Sequence, residues 1–231
     1  MNNLGIYLRN NRLFFSALLV LLVAGTILLL SLGKSAAFIS LNSYHPFWLN
    51  VFFINYTFMG DGIFALCLSV VVLLYFKKKQ QALALLYAFL LSGIVVQVIK
   101  NLVNAPRPKL FFEQGQYLFF MDGVSLSNNS SFPSGHTATA FAIATVLVLF
   151  LKNKKWQLPI LLAAALVGYS RIYLAQHFLL DVVIGAIIGT LTGVFAFYLV
   201  KNFRGIRIAF RKMHHIERGI HGTTTGTMQP V

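Results

Sequence analysis

Six stretches of the chain, at residues 13–32, 58–76, 82–100, 137–151, 158–174 and 178–200, are almost wholly apolar. Each approaches the roughly 20 residues that take an α-helix across a hydrocarbon core about 30 Å thick. Inside lipid a chain must satisfy its own backbone hydrogen bonds, so stretches of this kind cross as helices. The composition agrees: 58% of the 231 residues are hydrophobic and 10% are charged, whereas a soluble domain carries about a quarter charged residues. A soluble enzyme and a disordered chain are both excluded. The expected fold is all-α, a polytopic membrane protein with six transmembrane helices in a bundle, and an even number of crossings leaves both termini on one side.

Charge placement indicates which side. The chain has 19 Lys and Arg against 5 Asp and Glu, a net charge of +14. In a soluble protein that excess would suggest nucleic acid, but here the cations cluster between apolar stretches and no nucleic-acid partner is expected. Arg9 and Arg12, Lys77 to Lys79, Lys152 to Lys155 and the run 201–218 hold 14 of the 19. The positive-inside rule makes their face, and so both termini, cytoplasmic. Residues 1–200 form the expected membrane domain and 201–231 a basic cytoplasmic tail. In that tail Phe203, Ile206, Phe210, Met213, Ile216 and Ile220 recur at helical spacing among Arg204, Arg207, Arg211 and Lys212. This fits a helix lying on anionic lipid, or a merely solvated basic tail, and the run from Gly222 onward has a disordered composition. Ser35, Ala36 and Ala37 follow the first stretch like a signal cleavage site, yet about 20 apolar residues exceed the 7–15 of a signal core, so a retained helix is expected. Residues 47–55 are aromatic enough to lie in the interface before the chain turns inward at Gly60, Asp61 and Gly62, with Asp61 as a helix cap and a functional role as the alternative. The single cysteine, Cys67, sits in an apolar run, so no disulfide framework or thiolate metal site is expected.

The remaining polar residues converge. Lys100 ends the third stretch, His136 precedes the fourth, Arg171 closes the fifth and His177 begins the sixth, so all reach the face opposite the basic loops. Lys100, Arg107 and Arg171, with almost no carboxylates nearby, suit a phosphate dianion, Arg as a planar fork and Lys as a point charge. Ser134 and Gly135 stand at the start of an apolar helix beginning near Thr137, where free N–H groups and the positive dipole end attract an anion. Gly135 allows close backbone approach, and the Ser134 hydroxyl can donate to a phosphate oxygen. His177 and Asp181 are four apart, which stacks them on one helical face. The carboxylate can then hold one ring nitrogen and leave the other as nucleophile or base, while His136 supplies an acid. A metal at this site is rejected, because three cations would repel a divalent ion. His214, His215 and His221 fall in the tail and read as solvated side chains.

These residues resemble the type 2 phosphatidic acid phosphatase family, the lipid phosphatase branch of the superfamily that includes vanadium haloperoxidases and glucose-6-phosphatase. Lys100, six residues, then Arg107-Pro108 resembles the first family motif; Pro133-Ser134-Gly135-His136 the second; and Ser170-Arg171, five residues, His177, three residues, Asp181 the third. The resemblance covers residues 58–200. It implies a six-helix bundle opening at the outer leaflet, with His177 as nucleophile oriented by Asp181 and His136 protonating the leaving oxygen. Lys100, Arg107, Ser134, Gly135 and Arg171 would bind the phosphoryl oxygens. It implies no metal and no organic cofactor, and a multi-pass location in the cytoplasmic membrane with the site facing the periplasm or outside. By family analogy the substrate is a lipid phosphate: undecaprenyl diphosphate first, then phosphatidylglycerol phosphate, phosphatidic acid and lipid A phosphates. Phe111, Phe112, Leu118, Phe119 and Phe120, in the loop after Arg107, could dip into the interface as a lid or pack over the helices. A vanadate-dependent haloperoxidase and a non-catalytic lipid binder are the rival classes. The first resembles soluble proteins, and the second would not need both histidines and Asp181.

Overall fold

Apolar stretches that cross lipid must satisfy their backbone hydrogen bonds internally, and among the described residues the chain does so as helices. The structure, a computed structural model, describes the backbone of residues 4–112 and 129–223 and the side chains through residue 202. Among the described residues there is no strand. A short helix α1 (Leu4–Asn10) leads into α2 (Arg12–Leu41), which is interrupted at Gly33, where φ is 76°. The aromatic segment forms α3 (Phe47–Tyr56), followed by a 3-10 turn (Thr57–Gly60) and α4 (Gly62–Leu74), with α3 and α4 meeting at a 62° bend. Asp61 caps α4, its Oδ1 accepting from the Ile63 N–H at 2.8 Å, as the sequence suggests. Then come α5 (Lys79–Val103), α6 (Pro108–Phe111), α7 (Gly135–Phe150), α8 (Gln157–Tyr173) and α9 (Leu179–Thr223).

This is a helical membrane protein, but the helices are less uniform than six equal stretches. Three segments, Arg12–Leu41, Lys79–Phe111 and Leu179–Asn202, are long and apolar enough to cross a bilayer, and the bent α3–α4 pair is a fourth if it is one span and not a re-entrant loop. Helix α7 has 16 residues, about 24 Å at 1.5 Å per residue. It is apolar all round because its neighbours enclose it: all of 137–146 is buried, the signature of a core helix. Around it pack Phe14 and Leu18 of α2, Leu161, Ala164 and Val167 of α8, and Leu85 and Ala88 of α5.

The tightest seam joins α7 to α9. Gly185, Gly189 and Gly193 lie one helical turn apart, and a Cβ at each would fall onto the carbonyl oxygens of Ser134, Ala138 and Ala142 respectively. With no side chain there, the two backbones touch, as they do at small-residue interfaces in membranes where apolar burial gives helices no preference for each other over lipid.

The far end of the bundle is tied by Lys154, whose Nζ donates to Asn11 Oδ1 at 2.8 Å and to the Leu151 carbonyl at 2.7 Å. The Phe14 N–H donates to Gln157 Oε1 at 3.0 Å. Arg9, Arg12, Lys154 and Lys155 therefore line one cleft. Helix α9 continues unbroken to Thr223, so the basic run 201–218 is helical backbone and Gly222 belongs to the helix. The apolar face expected over 203–220, the solvation of His214, His215 and His221, and the disorder expected beyond Thr223 lie outside the described side chains and residues.

Candidate active site

Local capping chemistry carries the polar residues to one end of the bundle. Helix α5 stops because Asn104 adopts φ 40°, ψ 46°, and its N–H bonds back to the Lys100 carbonyl at 3.0 Å. Asparagine tolerates this left-handed conformation better than most residues. The chain then extends to Arg107 and restarts as α6 with Pro108 at its first position, where a missing N–H costs nothing. Arg107 Nε donates to the Asn129 carbonyl at 3.1 Å and Nη1 to Gln176 Oε1 at 2.5 Å. Lys100 feels the charges of Arg107, Arg171 and Asp181, so the three cations share one field.

Helix α7 begins at Gly135, two residues earlier than the sequence suggests, with Ser134 as its cap. Ser134 Oγ accepts from the Thr137 hydroxyl at 2.8 Å and more weakly from the Thr137 N–H at 3.4 Å. The cap uses the oxygen's lone pairs and leaves the hydroxyl proton to donate elsewhere. A Cβ on Gly135 would meet only Val96, at 3.7 Å. The protein's own packing therefore does not demand glycine there, and a group approaching from the site could.

At the end of α8 the N–H groups of Gln176 and His177 both donate to the Arg171 carbonyl, at 2.9 and 3.1 Å, while Ala175 sits at φ 52°. This left-handed closure ends the helix and swings His177 into the loop. His177 thus precedes α9 by two residues, correcting the expectation that it begins a helix and shares a helical face with Asp181. Asp181 is the third residue of α9 and its Oδ2 reaches back to the Phe178 N–H at 2.9 Å, half of a capping box. The same oxygen accepts from Ser131 Oγ at 2.5 Å. His177 Nδ1 lies 3.5 Å from it, long for a hydrogen bond, and such apo contacts commonly tighten when substrate binds. Both side chains are buried. Burial pushes the His177 imidazolium down to about 4, the nearby Asp181 only partly offsetting this, so at neutral pH the ring is uncharged and has a lone pair to offer.

Arg171 is also buried, with Nη1 donating to Thr57 Oγ1 at 2.7 Å and Nε without a partner. A buried guanidinium with an unpartnered N–H can receive an anion, because leaving such a donor unmet is costly. His136, one residue into α7, points Nε2 at Asp61 Oδ2 from 3.9 Å. The structure brings Lys100, Arg107, Ser134, Gly135, His136, Arg171, His177 and Asp181 to the same end of the bundle. A neutral buried imidazole, a second imidazole and three cations can together bind a tetrahedral anion and attack its centre.

Three neighbours escaped the sequence reading. Ser131 holds Asp181, Gln176 holds Arg107 and Thr57 holds Arg171; Asp61, for which the sequence suggests a cap with a functional role as the alternative, faces His136. Ser131 and Gln176 abut motif residues and could have been suspected; Thr57 has no local signal, being 114 positions from its partner. Of the loop aromatics, Phe112 is buried against Phe38 and Phe178, with ring centroids at 5.7 and 6.1 Å, and Phe111 is 5.3 Å from Phe178. These two pack over helices. Leu118, Phe119 and Phe120 lie outside the described residues.

The PAP2 superfamily model matches residues 81–204. Lipid phosphate phosphatase 1 of Arabidopsis thaliana is 34% identical over 168 residues, covering 58% of this chain and 51% of that protein, so the chain spans about half the length of this plant relative. Phosphatidylglycerophosphatase B of Bacillus subtilis is 32% identical over 170 residues, covering 68% of this chain and 75% of the relative. Among solved structures, Aquifex aeolicus LpxE superposes with a TM-score of 0.62 at 33% identity, covering 71% of this chain and 93% of that one.

Proposed function

This chain belongs to the PAP2 superfamily, and from that premise we propose that it is a lipid phosphate phosphatase working through a phosphohistidine. The idle Nε of buried Arg171 beside the neutral, buried His177 carries the proposal: one awaits an anion and the other can attack it. Lys100, Arg107 and Arg171 would hold the phosphoryl oxygens with the hydroxyl of Ser134 and the backbone at Gly135, stabilising charge that spreads over the equatorial oxygens in the transition state. His177 would attack phosphorus and form a P–N bond as the bond to the lipid oxygen breaks, and His136 would give that oxygen its proton. Water would then attack phosphorus, losing its proton to His136 and returning the electron pair of the P–N bond to His177. Asp181 would keep the ring in place from beside Nδ1.

The arrangement that accompanies this chemistry has six crossings in residues 1–200, both termini and the 201–231 tail cytoplasmic, and the site open to the outer leaflet of the cytoplasmic membrane. A lipid could then enter sideways with its phosphate reaching the cations. Likeness to a phosphatidylglycerophosphatase supports phosphatidylglycerol phosphate as a substrate beside undecaprenyl diphosphate, phosphatidic acid and lipid A phosphates. Purified protein in detergent, offered these lipids with released phosphate measured, tests the proposal, with His177→Ala as the control. Because the anion pocket is cationic, EDTA is expected to leave turnover unchanged. Complete loss in chelator, restored by magnesium or zinc, would overturn the metal-independent mechanism.

A further inference from the structure

We infer that Asp61 is the positioning carboxylate of His136, so that the turn before α4 is a working part of the active site. The inference rests on the proposed function and extends it to a residue outside the matched region 81–204. Asp61 has two oxygens with two occupations. Oδ1 is fixed by the Ile63 N–H at 2.8 Å, and this anchored cap aims Oδ2 at His136 Nε2, 3.9 Å away. That is ion-pair distance and too long for a hydrogen bond, and such contacts commonly tighten when substrate binds.

The turn is shaped around the histidine. A Cβ on Gly60 would lie 2.8 Å from the His136 carbonyl oxygen, 2.9 Å from its Cβ and 2.7 Å from Val167, so the backbone approaches His136 as closely as a side-chain-free residue allows. Gly62 is equally confined, by the Phe89 ring at 2.8 Å. The first residue of the same turn, Thr57, accepts from Arg171 at 2.7 Å. One five-residue segment thus contacts both a phosphate-binding cation and the proposed acid.

Charge gives the segment its purpose. His136 must hold a proton to hand to the leaving oxygen, yet burial disfavours the charged ring, and Arg171 of α8, His177, Lys100 of α5 and Arg107 act on it in the same sense. Asp181 of α9 is engaged by Ser131 and the Phe178 N–H. Asp61 is the carboxylate at ion-pair distance from His136. In the first step the His136 N–H proton passes to the lipid oxygen as its bond to phosphorus breaks and the P–N bond to His177 forms. In the second, water's proton restores the imidazolium. The Asp61 carboxylate takes no proton in either step and fixes the ring's orientation as the carboxylate beside the histidine of a hydrolytic triad does.

Asp61→Asn is the decisive variant, since asparagine caps a helix as well as aspartate and removes only the charge; Asp61→Ser, also a good cap, repeats the test if the first fails to fold. On a lipid phosphomonoester with an alkoxide leaving group kcat should fall by about 10- to 100-fold with KM nearly unchanged, while on nitrophenyl phosphate in the same detergent the loss should be under about threefold. Added to His136→Ala, either substitution should cost nothing further. Equal losses on both substrates, additive losses with His136→Ala, or no loss at all would each overturn the inference while leaving the phosphatase assignment standing. Wild-type protein that released phosphate from none of the lipids would instead overturn the assignment, and this inference with it.

Discussion

His177 is the nucleophile of the proposed mechanism, and its burial prescribes its behaviour. Because the folded value lies near 4 against 6.5 for an unperturbed ring, the folded protein binds its proton less readily than the unfolded chain. The stability this contributes is full above about pH 6.5 and is lost as pH falls from there towards 4. The proposed nucleophile stays uncharged over most of that window, so an acid limb in kcat/KM above about pH 5 would report another group. His177→Ala should abolish turnover and any acid-labile phosphoenzyme, trapped with radiolabelled substrate. Asp181→Asn should leave the nucleophile present but poorly held, slowing turnover by about 10² to 10⁴ as removal of orienting carboxylates does. Phosphate trapped on His136 would exchange the two histidines' roles. The Ser131 hydroxyl donates to the same carboxylate, and in the proposed mechanism it would share in this orientation without touching the reacting atoms.

Elements deliver these residues through their ends, and there the sequence was only partly legible. The three motifs stood out because Lys100, Arg107, His136, Arg171, His177 and Asp181 are polar residues in or beside apolar stretches, where polarity is costly and therefore informative. Helix limits were harder. Asn104 at φ 40° and Ala175 at φ 52° end helices whose hydrophobic pattern gives no stop signal, and the second of these places His177 in a loop instead of on α9. Contacts such as Ser131 to Asp181 and Thr57 to Arg171 join positions 50 and 114 apart, beyond any local pattern. The glycine seam was legible in principle, since Gly185, Gly189 and Gly193 are spaced by four, but its partner α7 was not. It yields a contrast between two glycines. Gly189→Ala would drive a methyl into the Ala138 carbonyl and the Ala142 N–H region, and should abolish recovery of folded protein, read as loss of the monodisperse peak in detergent chromatography. Gly135→Ala meets only Val96 and should fold normally, its defect confined to a raised KM where the methyl crowds the phosphate. A Gly135→Ala protein that failed to fold, or a well-folded Gly189→Ala, would contradict the division between packing and site glycines.

At the scale of the molecule the charges are sorted along the bundle axis. Following α7 from Gly135 to Phe150, α8 back from Gln157 to Tyr173, and α9 out again past Asp181 leads each time between a polar site at one end and a basic loop at the other. Lys154 bonded to Asn11 joins the N-terminal cations to the loop after α7, and Lys201 stands at the same end of α9, over the rings of Tyr7, Phe150 and Phe197. The segregation means that orientation is one decision for the whole bundle: if the basic end faces the cytoplasm, the side on which the positive-inside bias places Lys and Arg, the site faces outward. Two exposed positions report the two ends, Lys109 in α6 beside the site and Asn153 in the basic loop. With the exposed native Cys67 replaced by serine, Lys109→Cys should react with a membrane-impermeant maleimide in intact cells, while Asn153→Cys should react only after the cells are opened. Phosphatase turnover retained in both variants would show that the label reads the working fold. The reverse labelling would turn the bundle over and put the phosphate released by the site into the cytoplasm, so the same experiment decides which leaflet supplies the lipid.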